Sequence, residues 1–113
     1  MRVRLQWLAL VLLVGALVTE PALLAAATVE AGKAVYDKKC ASCHGKQGEG
    51  NPGIAKALKV ELRPLGSKEV QAKSDEELRK NITEGTAKKK PVKGLSEEDL
   101  ANVLAYVRSL AQK

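Results

Sequence analysis

Five consecutive residues, Cys40-Ala41-Ser42-Cys43-His44, hold both cysteines and the only histidine of a 113-residue chain. That concentration constrains the fold more than any other feature, because it reads as the attachment point of a large covalent group. Two thiols three positions apart can each add to one vinyl group of the same porphyrin, giving two thioether bonds. The histidine after the second thiol can then offer the iron an imidazole nitrogen, and C-x-x-C-H is the attachment signature of a c-type haem. A redox dithiol needs the two cysteines but not the histidine. A closed tetrahedral zinc site needs four ligands, and the chain has only three soft or borderline ones. The expected cofactor is one covalent haem c with its iron, bound through Cys40 and Cys43, with His44 as the proximal metal ligand.

The N-terminal stretch predicts an address. Arg2 and Arg4 precede an uncharged run from Leu5 to Thr19, then Glu20, Pro21 and the small residues Ala25-Ala26-Ala27. Basic end, apolar middle and A-x-A site are the order of a secretory signal peptide. We therefore expect residues 1–27 to be a signal, cleaved after Ala27, and the protein to reside in the periplasm. The alternative is an uncleaved signal acting as an inner-membrane anchor. The 15-residue uncharged run is short for the ~20 residues of a spanning helix. Disulfides persist in oxidising compartments, so an exported thiol pair must stay reduced until haem is attached.

The expected mature domain, residues 28–113, is poor in core material. The whole chain carries a formal charge of +6, and removal of Arg2, Arg4 and Glu20 leaves +5. Two haem propionates would lower this to about +3. There is no Phe, Trp7 goes with the signal, and Tyr36 and Tyr106 are the remaining aromatics. A domain this small has a thin core. A covalent macrocycle supplies apolar bulk, and without it the chain should fold poorly.

Periodicity predicts an all-α fold of three main helices and long loops, with a short fourth helix over Ile54–Leu58. Val29, Gly32, Val35 and Tyr36 form one helical stripe ahead of the cysteines. Gly32 in mid-helix marks a place where another helix comes very close. The run from Gly45 to Gly53 has four glycines and a proline, and it lacks the G-K-[ST] ending of a phosphate loop, so it reads as structural. Val60–Gly66 is expected to be extended, because Arg63 precedes Pro64. Ser74-Asp75-Glu76-Glu77 is a capping box, and Gly85 closes the helix it opens. Ser96 and Asp99 form a second cap before the stripe Leu100, Val103, Leu104, Val107 and Leu110, flanked by Tyr106.

These stretches resemble a class I monohaem bacterial cytochrome c over nearly the whole expected mature chain. The resemblance lies in Gly32, Tyr36, Cys40-Ala-Ser-Cys43-His44-Gly45 with Gly48 and Gly50, Ser74-Asp-Glu-Glu-Leu78 with Ile82 and Gly85, and Gly94-Leu-Ser-Glu-Glu-Asp-Leu100 through Tyr106-Val-Arg-Ser-Leu110. It implies the small cytochrome c fold, in which first and last helices cross with Gly32 against Tyr106. It also implies a proline carbonyl, from Pro52 or Pro64, against the His44 ring. The family's distal ligand is a methionine just before a proline. Here Lys90 stands in that place, before Pro91, and the only methionine is Met1.

The distal ligand is therefore expected to be Lys90, or the site is open or water-bound; Lys88 and Lys89 are further alternatives. Deprotonating a normal lysine at pH 7 costs about 4.6 kcal/mol, which burial and a metal–nitrogen bond would have to offset. An amine or water in place of a thioether lowers the potential. The expected function is periplasmic electron transfer rather than enzyme catalysis, with monomeric protein serving other redox proteins or membrane respiratory complexes. A basic rim from Lys38, Lys39, Lys46 and Lys88–Lys90 would suit acidic-surfaced partners. Nucleic-acid binding is not expected, since no aromatics interleave the basic residues. The rival functions are a small-ligand haem sensor, which needs a vacant distal site, and a weak peroxidase, which lacks a second histidine for distal acid–base work.

Overall fold

The computed structural model describes residues 21–111. Residues 1–20 of the expected leader lie outside the described residues, and residues 21–27 form the opening turns of the first helix. Six helices follow in order: α1 (Pro21–Lys39), α2 (Ala41–His44), α3 (Pro52–Leu58), α4 (Lys68–Gln71), α5 (Asp75–Thr83) and α6 (Glu97–Ser109). Among the described residues there is no strand, only an isolated antiparallel bridge between Thr86 and Lys89. None of the described helices is long and apolar enough to cross a membrane. The all-α expectation holds, with α1, α5 and α6 as the main helices; α2 and α4 are additional single turns.

The caps explain the boundaries. The Ser96 hydroxyl accepts the Asp99 N–H at 3.0 Å, and the Asp99 carboxylate accepts the Ser96 N–H at 3.0 Å, so α6 has both halves of a capping box. Glu97, Glu98 and Asp99 place negative charge in its first turn, where the helix dipole favours it. At α5 only half the expected box forms. Ser74 accepts the Glu77 N–H at 3.1 Å, while the Glu77 carboxylate turns to Lys73 at 3.0 Å. Ser67 opens α4 by accepting the Val70 N–H.

The core sits where α1 crosses α6. A Cβ on Gly32 would collide with the backbone carbonyl of Asn102 and lie 3.0 Å from Tyr106 Cβ, so only hydrogen fits between the two helices. Tyr36 and Val103 are fully buried, and Tyr106, Leu100, Leu104 and Val107 nearly so. The Tyr36 and Tyr106 rings stack tilted at 54°, with centroids 4.9 Å apart. Such a pair adds about 0.5–1.5 kcal/mol beyond its buried area. Both phenols reach out of the core: Tyr36 donates to the Gly45 carbonyl at 2.5 Å and Tyr106 to the Lys46 carbonyl at 3.4 Å.

Two side chains hold the segment before α5 against α6. Gln71 donates to the carbonyls of Leu65 and Val107. Arg108 donates to the carbonyls of Gln71 and Lys73, at 2.9 and 2.7 Å, and to the Asp75 carboxylate at 2.8 Å.

Two outcomes follow from this packing. Gly32→Ala should destabilise the haem-loaded protein by about 1–3 kcal/mol through overpacking, read as a lower denaturant midpoint. Burial raises the Tyr36 phenol well above its ordinary value near 10. An unfolded chain loses that proton as pH climbs past about 10 while the native chain keeps it, so stability falls on the alkaline side. Tyr36→Phe should flatten that alkaline fall in a comparison of unfolding free energies at neutral and high pH.

Candidate haem site

The five-residue motif folds as the turn that follows α1. Cys40 N–H donates to the Tyr36 carbonyl at 2.8 Å, and His44 N–H to the Cys40 carbonyl at 2.9 Å. Helical spacing of three and four residues puts Cys40, Cys43 and His44 on one face. Both thiols are free and half-buried. The glycine loop then folds back on the turn: Gly50 N–H donates to the His44 carbonyl at 2.7 Å and Asn51 N–H to the Cys43 carbonyl at 2.9 Å. The Asn51 amide also donates to the Ser42 carbonyl, while its oxygen caps α3. Gly45, Gly48 and Gly50 all have positive φ, which a loop this tight requires.

This face forms one wall of a cavity of ≈ 830 Å³. Leu65, Leu78, Ile82, Val103 and Leu104 supply apolar lining, and the loop Thr86–Lys90 forms part of the wall. Its volume lies in the ~300–1,000 Å³ range of cofactor sites. Leu58, which also lines it, is 61% exposed, an apolar side chain left uncovered until something fills the space.

The electrostatics suit a metal-binding imidazole. Burial lowers the His44 pKa, and the charge of Lys89 lowers it further, so the neutral donor form prevails. His44 Nδ1 is buried with no hydrogen-bond partner among the described residues. Neither Pro52 nor Pro64 supplies the carbonyl that the resemblance implied for it. A buried polar atom so orphaned costs about 1–3 kcal/mol, so a ring with an unclaimed nitrogen fits a metal that binds the imidazole. Burial raises the Cys40 pKa, and the charge of Lys89 partly counters that rise.

A family model described as Cytochrome c matches residues 29–111. The chain belongs to the cytochrome c family. It is similar to cytochrome c-554(547) of Halothiobacillus neapolitanus, 36% identical over 85 residues that cover 71% of this chain and 93% of that protein. It is also similar to the solved structure of KustC0563 c-type cytochrome, with TM-score 0.61 and 30% identity, over 72% of this chain and 98% of that one. The cytochrome thus has the small all-α fold and a covalently bound haem c with iron. The cavity, the paired thiols and the neutral histidine fit that group.

The three lysines of the run differ in exposure. Lys90 is exposed, and so is Lys88. Lys89 is half-buried; its Nζ donates to the Lys90 carbonyl at 3.1 Å and the Asn81 carbonyl at 3.4 Å. Sequence reasoning also missed Gln71 and Arg108, whose polar character alone carries no sign of their partners. For Lys89 a faint signal existed: in an extended segment adjacent side chains alternate sides, so one inward lysine implies outward neighbours.

Removing both thiols, Cys40→Ala with Cys43→Ala, should abolish haem that survives denaturing electrophoresis and leave a poorly folded chain by circular dichroism. Either single variant should retain one thioether and a shifted alkaline pyridine spectrum.

Proposed function

We propose that this cytochrome is an exported, monomeric electron carrier of the periplasm, not an enzyme. Cys40 and Cys43 hold the haem, His44 is its proximal ligand, and the distal side is served by something other than a thioether. The observation that carries this reading is the Cys40–His44 turn on the wall of a largely apolar cavity, in a chain of the cytochrome c family. The cytochrome c relatives support electron transfer as the activity. When bound, the haem supplies a one-electron couple at its iron.

The chain's own residues do the rest. Tyr36 and Tyr106 pin the carbonyls of Gly45 and Lys46, so the segment beside His44 cannot drift when charge at the site changes. Leu65, Leu78, Ile82 and Val103 keep water from the cavity, and apolar shielding with ligand identity tunes the potential. Lys39, Lys88 and Lys90 border the cavity with positive charge, which would steer acidic redox partners, including membrane respiratory complexes.

Cell fractionation should place the haem-loaded protein in the periplasm, with Thr28 as its first residue by intact mass. Electrochemical titration should give a single one-electron wave per haem, and the isolated protein should show no peroxide turnover. Multiple turnovers with peroxide would end the electron-carrier reading. Retention of residues 1–27 at the inner membrane would replace export by anchoring.

A further inference from the structure

We propose that Lys89, rather than Lys90, is the distal ligand of the haem iron. This rests on the reading of Cys40, Cys43 and His44 as the haem-binding turn.

The distal segment is a short hairpin. Thr86 N–H donates to the Lys89 carbonyl at 2.9 Å and Lys89 N–H to the Thr86 carbonyl at 3.3 Å, with Ala87 and Lys88 at the tip. Gly85, at φ +76, is what lets it fold so tightly: a Cβ there would meet the Lys89 carbonyl and lie 2.8 Å from Pro91 N. Val92 N–H donates to the Ile82 carbonyl at 2.8 Å, anchoring the hairpin's far side to α5. Position 89 is thus tied to residue 86 by both backbone bonds of the bridge. Its side chain turns inward while those of Lys88 and Lys90 remain exposed.

Lys89 lines the same cavity as Cys40, Cys43 and His44. Its two hydrogen-bond acceptors are main-chain carbonyls, Asn81 O and Lys90 O, and among the described residues it makes no ion pair with a carboxylate. An ammonium half removed from water without a counter-charge is less favourable than a fully solvated one. A neutral amine has two N–H groups and one lone pair. The two carbonyls can take both N–H groups, which leaves the lone pair unclaimed for a metal. Ligation releases one proton from the ammonium to solvent and forms one iron–nitrogen bond, with no change in iron oxidation state. Lys90 contributes its carbonyl, not its side chain. Methionine is confined to Met1 and histidine to His44, and of the three consecutive lysines that line this cavity Lys89 alone is half-buried.

The test is the visible spectrum of the ferric holoprotein at neutral pH, with its response to carbon monoxide after reduction. Wild type and Lys90→Ala should both be low-spin and slow to bind carbon monoxide. Lys89→Ala should lose the low-spin signature and bind carbon monoxide at once. Lys89→Met should regain a low-spin form with a thioether-to-iron charge-transfer band and a higher potential, and it decides the matter if Lys89→Ala does not accumulate. A high-spin wild type overturns the proposal. So does an unchanged spectrum in Lys89→Ala or Lys89→Met, or loss of the low-spin form in Lys90→Ala alone. The alkaline pyridine spectrum reports thioether attachment separately, so absence of covalent haem in the wild type would instead defeat the underlying reading.

Discussion

At the crossing of α1 and α6 a single hydrogen on Gly32 separates two helix backbones. Everything at the haem site inherits its position from that contact. The crossing buries Tyr36 and Val103 completely and stacks Tyr36 on Tyr106. The two phenols then leave the core to hold the carbonyls of Gly45 and Lys46, immediately after His44. Helix packing is thereby converted into the placement of the segment beside His44. Rigid support of this kind is what keeps a site within the narrow geometry its chemistry needs.

The remainder of the chain is mostly loop, and it is held by polar stitching rather than by apolar mass. Asn51 bonds both the haem-binding turn and the start of α3. Gln71 and Arg108 tie the segment 65–75 to the last turn of α6. Each such bond contributes only about 0.5–1.5 kcal/mol, so the loops depend on acting together. The cavity they surround is largely apolar and opens Leu58 to solvent. A cavity of this size and lining suits an apolar macrocycle.

Much of this was legible from residue order. The stripe from Leu100 to Leu110 placed α6, and its Ser96–Asp99 box formed as read. Gly32 announced a close helix crossing, and the resemblance named Tyr106 as its partner. The second box was half right, because Lys73 competes for Glu77 and an ion pair at helical spacing is as available as the reciprocal cap. The facing of the three lysines was not legible in this way. Lys90 sits at the family's methionine position, beside Pro91, yet the Thr86–Lys89 bridge sets which side chain faces inward. A one-residue difference in an extended segment reverses the facing of every side chain, and no local pattern within three successive lysines can reveal it.

The sequence by itself determined the cofactor, through a c-type motif, and the all-α fold. Thiol spacing and helical periodicity are local properties, and local chemistry suffices to read them. Only the tertiary structure decided which lysine turns toward the haem cavity, which polar side chains bind the loops, and that the His44 ring keeps an unclaimed nitrogen. Those outcomes depend on hydrogen bonds between residues far apart in the chain. The free energy that selects them exists only once α1, α6 and the hairpin after Gly85 have been brought together.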